Sequence, residues 1–202
     1  MNIGLYFGTF NPIHIGHLKV ANYMAEHTDL EEIWFVVSPH SPQKEKKALL
    51  EDHHRLEMVR IAIEDNRTLK VSDVEFELPQ PNYTATTLSC LQEKYPKHSF
   101  SLLMGEDNLR GFHTWFNYER ILANHKIYVY PRTVTCQEPV KQVGEKPFSE
   151  LYNHQNVILC KGVPKLKISS SFIRESIEKK KDVRSLLPEK VYTYIINMNF
   201  YK

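Results

Sequence analysis

Cysteine is scarce in this chain, with three in 202 residues, Cys90, Cys136 and Cys160. They are odd in number, widely spaced and form no C-x-x-C pair, which excludes a disulfide framework and a cysteine zinc site and points to a reducing compartment. Glycine and proline number only seven and eleven, too few for a collagenous, low-complexity or disordered chain. An excess of either charge is also missing: 26 Lys and Arg against 24 Asp and Glu leave a formal charge of +2. Neutralising many phosphates of a nucleic acid needs a basic excess, so nucleic acid is excluded as a partner while a small anionic ligand is not. No apolar run approaches the roughly 18 residues of a membrane helix. The start, Met1-Asn2-Ile3-Gly4-Leu5-Tyr6-Phe7, has neither the basic nor the apolar region of a secretory leader. The expected location is cytoplasmic, with no membrane partner. G-x-G-x-x-G, G-x-x-x-x-G-K-(S/T) and H-E-x-x-H are absent too, which disfavours a standard dehydrogenase or P-loop kinase.

What is present has the balance of a globular domain, 42% hydrophobic and 25% charged, and the length suits a single domain over residues 1–202. Short β-rich runs alternate with stretches of helical period, the pattern of a parallel α/β sheet. Strands are expected at Ile3–Phe7, Ile33–Val37, Leu69–Ser72, Phe100–Met104, Ile127–Tyr130 and Val157–Cys160. Helices are expected from about Ile15, over Asp52–Asp65 with Asp52 as a cap, over Thr84–Tyr95, irregularly over 106–124, and over Ser169–Lys181 and Pro188–Asn199. The Pro-containing connection between the last two strands, about 25 residues, suits a lid, an insertion or a mobile loop. The fold class is therefore α/β: a Rossmann-like doubly wound parallel sheet of five or six strands, with a small C-terminal helical part at about 165–202. Ligands of such sheets bind at the carboxyl ends of the strands.

Directly after the first strand stands Gly8-Thr9-Phe10-Asn11-Pro12-Ile13-His14-Ile15-Gly16-His17. Gly8 lets the backbone approach a ligand, Asn11-Pro12 makes a turn, and the free N–H groups of the next helix attract an anion. His14 and His17, three residues apart, fall on one side of a helical turn and can both donate to phosphate oxygens, with Gly16 keeping the space between them open. Alone, two histidines near a turn read as surface residues; their position after the first strand reverses that weight. Near the other end, Ile168-Ser169-Ser170-Ser171-Phe172-Ile173-Arg174 opens a helix. Its hydroxyls, amides and arginine fork make a second phosphate cradle, although one serine would suffice as a helix cap.

The run Gly8 to His17 resembles the G-(S/T)-F-(D/N)-P-x-H-x-G-H signature of the nucleotidyltransferases related to class I aminoacyl-tRNA synthetases, and Ile168 to Arg174 resembles their I-S-S-(S/T)-x-(I/V)-R element. Within that superfamily the chain resembles the bacterial nicotinate-nucleotide adenylyltransferase family over nearly its whole length. Tyr83-Thr84-Ala85-Thr86-Thr87-Leu88, Gly105-Glu106-Asp107 with Trp115, and Leu187-Pro188 with Val191 and Tyr194-Ile195 follow in the family's order.

The resemblance implies adenylyl transfer from ATP to nicotinate mononucleotide, giving nicotinate adenine dinucleotide and pyrophosphate with Mg²⁺, a step of NAD biosynthesis. It gives His14, His17 and Arg174 catalytic roles and places ATP phosphates on Gly8, Thr9, Phe10, Gly16, Ser169, Ser170 and Ser171. Lys44 would add a contact from the loop after the second strand, where Ser38-Pro39-His40-Ser41-Pro42-Gln43-Lys44 departs from the P-x-H-K of many relatives. The nicotinate nucleotide would lie against Thr84, Gly105, Asp107, Trp115 and Phe116, with the start of the Thr84 helix facing the carboxylate, Asp107 on ribose hydroxyls and Trp115 on the pyridine ring. No direct metal ligand is evident, and Mg²⁺ held by phosphates and water fits that. Nicotinamide mononucleotide or phosphopantetheine as acceptor, or a non-catalytic nucleotide-binding regulator, are the alternatives. A homo-oligomer is compatible with the sequence.

Overall fold

The computed structural model describes residues 1–39, 49–131, 145–164 and 167–202. Six strands, β1 (Asn2–Gly8), β2 (Glu32–Val37), β3 (Leu69–Ser72), β4 (Ser99–Gly105), β5 (Ile127–Tyr130) and β6 (Val157–Leu159), form one sheet in the order β3-β2-β1-β4-β5-β6. Every adjacent pair is parallel. Helices α1 (Ile15–His27), α2 (Asp52–Ile63), α3 (Thr84–Lys94), α4 (Glu106–Gly111), α5 (Tyr118–Asn124), α6 (Glu145–Tyr152), α7 (Ser170–Glu178) and α8 (Glu189–Asn197) complete the order of described elements.

The strand residues alternate between two cores, one on each face of the sheet. Tyr6, Ile33, Phe35, Val37, Leu103 and Tyr128 pack with residues of α1, α2, α7 and α8. Ile3, Leu5, Val36, Phe100, Leu102, Met104, Ile127 and Val129 pack with α3, α4, α5 and α6. Doubly wound sheets of this order reverse direction between β1 and β4, and the loops leaving those two strands open a crevice at their carboxyl ends. The turn after β1, the residues after β2, and the starts of α3, α4 and α7 are what the fold can offer there.

The strands lie within a residue of their expected bounds, and two details differ. Asp52 does not cap α2: Glu51 holds that position without a side-chain bond, and Asp52 instead accepts a hydrogen bond from Arg55. Residues 106–124 resolve into α4, a 3₁₀ turn at Phe112–Thr114 and α5. Further 3₁₀ turns at Val74–Phe76 and Arg184–Leu186 are too short to leave a periodic signal. Of the long connection between β5 and β6, residues 132–144 lie outside the described residues, and α6 occupies Glu145–Tyr152. Among the described residues no helix is long and apolar enough to cross a membrane.

Candidate functional site

The start of α1 is built by the two histidines themselves. His14 is its N-cap residue, with extended backbone (φ −145°, ψ 169°). The His17 N–H donates to Nδ1 of His14 at 3.3 Å, and the His14 N–H donates to Nδ1 of His17 at 3.2 Å. This is a capping box with two imidazoles in place of the usual hydroxyl and carboxylate. A ring nitrogen that accepts from an amide carries no proton, so both rings are fixed with N–H on Nε2. The rings stack, with centroids 3.6 Å apart and planes inclined by 21°. Gly16 is required by that stack: a Cβ there would stand 2.9 Å from Cε1 and Nδ1 of His14. The space beside Gly16 therefore holds the His14 ring.

Phe10 supports the pair from within the protein. Its φ of 44° lies in the left-handed region, which a residue with a side chain adopts only when its surroundings enforce it. The ring folds back over Gly8, where a Cβ would lie 2.9 Å from it, and meets Tyr6, Phe35 and His17 edge to face. Phe10 is only 2% exposed. The ring is a wedge beneath His17, the room left by Gly8 admits that wedge, and only the Phe10 backbone is left to face a phosphate.

The second expected cradle lies against the same turn. Ser169 caps α7, accepting from the Phe172 N–H at 3.2 Å. Ser170 Oγ donates to the Pro12 carbonyl at 2.9 Å, and Arg174 Nη1 donates to the Asn11 carbonyl at 2.8 Å. Arg174 Nη2 also donates to Ser171 Oγ at 3.3 Å. Two of the five guanidinium donors are used in this way, and the starts of α1 and α7 are brought together. The serine run carries more of the structure than its sequence reading allowed: Ser169 caps, Ser170 ties α7 to the turn, and Ser171 steadies Arg174.

On the other side of the crevice α3 begins at Thr84 with Tyr83 as its N-cap residue. Glu75, 3% exposed, accepts from Thr87 Oγ1 at 2.7 Å, and its backbone carbonyl accepts from Asn82 Nδ2 at 2.9 Å. Burial pushes the Glu75 carboxyl above the usual carboxylate range, while hydrogen bonds from Ser38 and Thr87 work the other way. Gly105 closes β4 and precedes Glu106 and Asp107 in the first turn of α4. Trp115 is partly buried and meets Phe112 edge to face at 5.3 Å, whereas Phe116 is 52% exposed and lies 4.8 Å from the Tyr83 ring. Tyr83 and Phe116 are the open aromatic surface here. Lys44 and His40 lie outside the described residues.

Three groups escaped the sequence reading. Arg55 is fully buried and ties Thr9, Ser38, Pro39 and Leu50 together through their carbonyls. Tyr201 donates to Asn11 Oδ1 at 2.7 Å. Glu75 is the third. No local pattern marks them, because each acts on residues distant in sequence. By contrast, Glu51, His53 and His54, whose ligand atoms lie within 4.8 Å of one another, form a largely exposed trio, and His54 is engaged with the Tyr194 hydroxyl at 2.9 Å. That suits the polar first turn of α2.

A sheet of this order, with two helix starts meeting at the first turn, defines a class of nucleotide-handling α/β proteins. A family model described as cytidylyltransferase-like matches residues 5–176. Relatives carrying the name "Probable nicotinate-nucleotide adenylyltransferase" include those of Flavobacterium psychrophilum, 55% identical with all of both chains covered, and Cytophaga hutchinsonii, 44% identical with 100% of this chain and 98% of the relative covered. The chain belongs to the cytidylyltransferase-like family and, within it, to the nicotinate-nucleotide adenylyltransferases. The fold agrees with that of a solved Plasmodium falciparum nicotinic acid mononucleotide adenylyltransferase complexed with NaAD, at a TM-score of 0.76 and 23% identity over 99% of this chain and 97% of that one.

Proposed function

We propose that the chain transfers the adenylyl group of ATP to nicotinate mononucleotide, giving nicotinate adenine dinucleotide and pyrophosphate in NAD biosynthesis. The observation that carries this reading is the meeting of α1 and α7 over the turn after β1, held by Ser170 on Pro12 and Arg174 on Asn11. A phosphate oxygen of nicotinate mononucleotide attacks the α-phosphorus of ATP. The new P–O bond forms as the bond to the β-phosphate oxygen breaks, and pyrophosphate leaves with that electron pair. No covalent intermediate with the protein is needed, so catalysis consists of alignment and stabilisation of charge on the α-phosphate and the leaving group.

The Nε2–H groups of His14 and His17 are the donors for that charge, aided by the α1 dipole. Arg174 and the α7 amides take the leaving phosphates, with Ser169, Ser170 and Ser171 holding that cradle in shape. Thr9 and Gly16 contribute backbone, and Lys44 adds a cation from its loop. The donors gathered here are N–H groups, hydroxyls and cations, a set suited to anions, so Mg²⁺ enters as part of the ATP substrate. The start of α3 at Thr84 receives the nicotinate carboxylate, Gly105 and Asp107 the ribose, and Phe116 with Tyr83 and Trp115 the pyridine ring. All of residues 1–202 then serve one catalytic domain, the part from about 165 supplying the second cradle. The protein works on small molecules in the cytoplasm.

The test is pyrophosphate release with ATP, Mg²⁺ and one acceptor at a time. Nicotinate mononucleotide is expected to be the fastest acceptor. Faster release with nicotinamide mononucleotide or phosphopantetheine, or none with any, overturns the reading.

A further inference from the structure

Arg55 and Arg174 differ in what they leave for a ligand. A guanidinium has five N–H donors, and in Arg55 all are taken by the protein. Nε donates to the Leu50 carbonyl at 2.9 Å, Nη1 to Thr9 at 2.8 Å and to Ser38 at 2.7 Å, and Nη2 to Pro39 at 3.3 Å and to the Asp52 carboxylate. The side chain is 0% exposed, so no phosphate reaches it. Its carbonyl acceptors come from three places: the turn after β1, the residues after β2, and the residue two places before α2 begins. One guanidinium thus joins the turn after β1, the residues after β2 and the residue before Glu51, parts of the chain that are separated in sequence.

Tyr201 fixes the turn at a second point. Its O–H reaches Asn11 Oδ1 at 2.7 Å, an oxygen that also accepts from the Leu50 N–H at 3.4 Å, while the Asn11 carbonyl takes Arg174. Asn11 is 3% exposed. Burial raises the Tyr201 phenol above its ordinary range even though Arg55 and Arg174 stand close enough to oppose the shift, so at neutral pH it remains a hydrogen-bond donor.

We infer that Arg55 and Tyr201 are positioning residues of the phosphate site, clamping the turn at Thr9 and Asn11 so that His14 and His17 meet the ATP phosphates. This rests on the reading of the turn as an ATP-phosphate site. A shift of about 1 Å in such donors is enough to lower a rate on the order of 10²-fold.

Two conservative variants of the full chain test it. Arg55→Lys keeps the charge but has only three donors on one nitrogen for five acceptors. Tyr201→Phe keeps the ring and removes one donor. Below the unfolding temperature, Arg55→Lys is expected to lower kcat roughly 30-fold or more and Tyr201→Phe about 3- to 10-fold, with KM for nicotinate mononucleotide within about threefold. Both should weaken calorimetric ATP binding without acceptor and shift the His14 and His17 Cε1–H signals in proton–carbon spectra. If kcat, ATP binding and the histidine signals stay at their original values while only Tm falls, the clamp is merely structural and the inference fails. Should Arg55→Lys not fold, Tyr201→Phe decides by the same readouts. If no acceptor yields pyrophosphate, ATP binding and the histidine signals still test the clamp, so failure of the proposed reaction is told apart from failure of the inference.

Discussion

Replacing Gly16 by alanine should remove activity while leaving the fold nearly as stable as before. The new methyl would start 2.9 Å from the His14 ring, and ordinary contact begins at 3.4 Å. The ring has no slack for that. His17 stacks against it at 3.6 Å, and the cap to its Nδ1 is already 3.3 Å long, so a further half ångström takes that cap beyond hydrogen-bonding range. Losing an N-cap costs about 1 kcal/mol. Alanine in place of glycine within a helix returns up to about 1 kcal/mol. The two nearly cancel, and at about 2–4 °C per kcal/mol for a chain of this size the expected change in Tm is within about 4 °C. Catalysis has no such compensation. A displaced imidazole no longer meets the developing charge, and loss of one preorganised donor lowers kcat about 10²- to 10³-fold. Pyrophosphate release and thermal unfolding followed by circular dichroism, on the same preparation, read both quantities. A variant with kcat within about threefold of the parent, or one whose Tm falls by about 10 °C or more, would refute the reasoning.

His17→Ala should lower kcat about 10²-fold or more with little change in KM, as steady-state kinetics will show; an effect on KM alone would mean uniform binding. Arg174→Lys loses the fork that spans the Asn11 carbonyl and Ser171, and kcat is expected to fall by roughly tenfold. Phe116→Ala should raise KM for nicotinate mononucleotide several-fold and leave KM for ATP unchanged, because the proposed reading sets its 52% exposed ring against the acceptor and not against ATP. Glu75→Gln bears on pH. Burial raises the folded-state pKa of Glu75 above its ordinary 4.5, so its contribution to stability is full below that value and is lost as pH rises through the raised pKa. Glutamine does not ionise, so the Tm of the variant should gain on that of the parent as pH rises above about 4.5; parallel Tm profiles would contradict it.

The sheet was legible because buried strands leave continuous apolar runs: Ile33–Val37 and Phe100–Met104 cannot be solvated helices. The two ends of the site were legible because glycine, proline, histidine and serine clusters follow strands or open helices, where backbone donors are free. Arg55 was not legible. An arginine inside the Asp52–Ile63 helix reads as a solvated side chain, and only the fold shows that the turn after β1 and the residues after β2 bring their carbonyls to it. Tyr201 was not legible either, because its partner Asn11 lies 190 residues away. Phe10 sits in the motif yet faces inward, since sequence spacing does not reveal its positive φ. The serines were read as ligands where packing gives each a structural partner first.

Bonds that close the site join distant parts of the chain: Ser170 to Pro12 spans 158 residues and Arg174 to Asn11 spans 163. Contacts of such sequence separation raise the contact order of the fold, and high contact order slows folding. During synthesis the turn after β1 leaves the ribosome before its partner helix exists. A chain that stops before Ser170 thus has the histidines but lacks the second cradle and its bonds to Pro12 and Asn11.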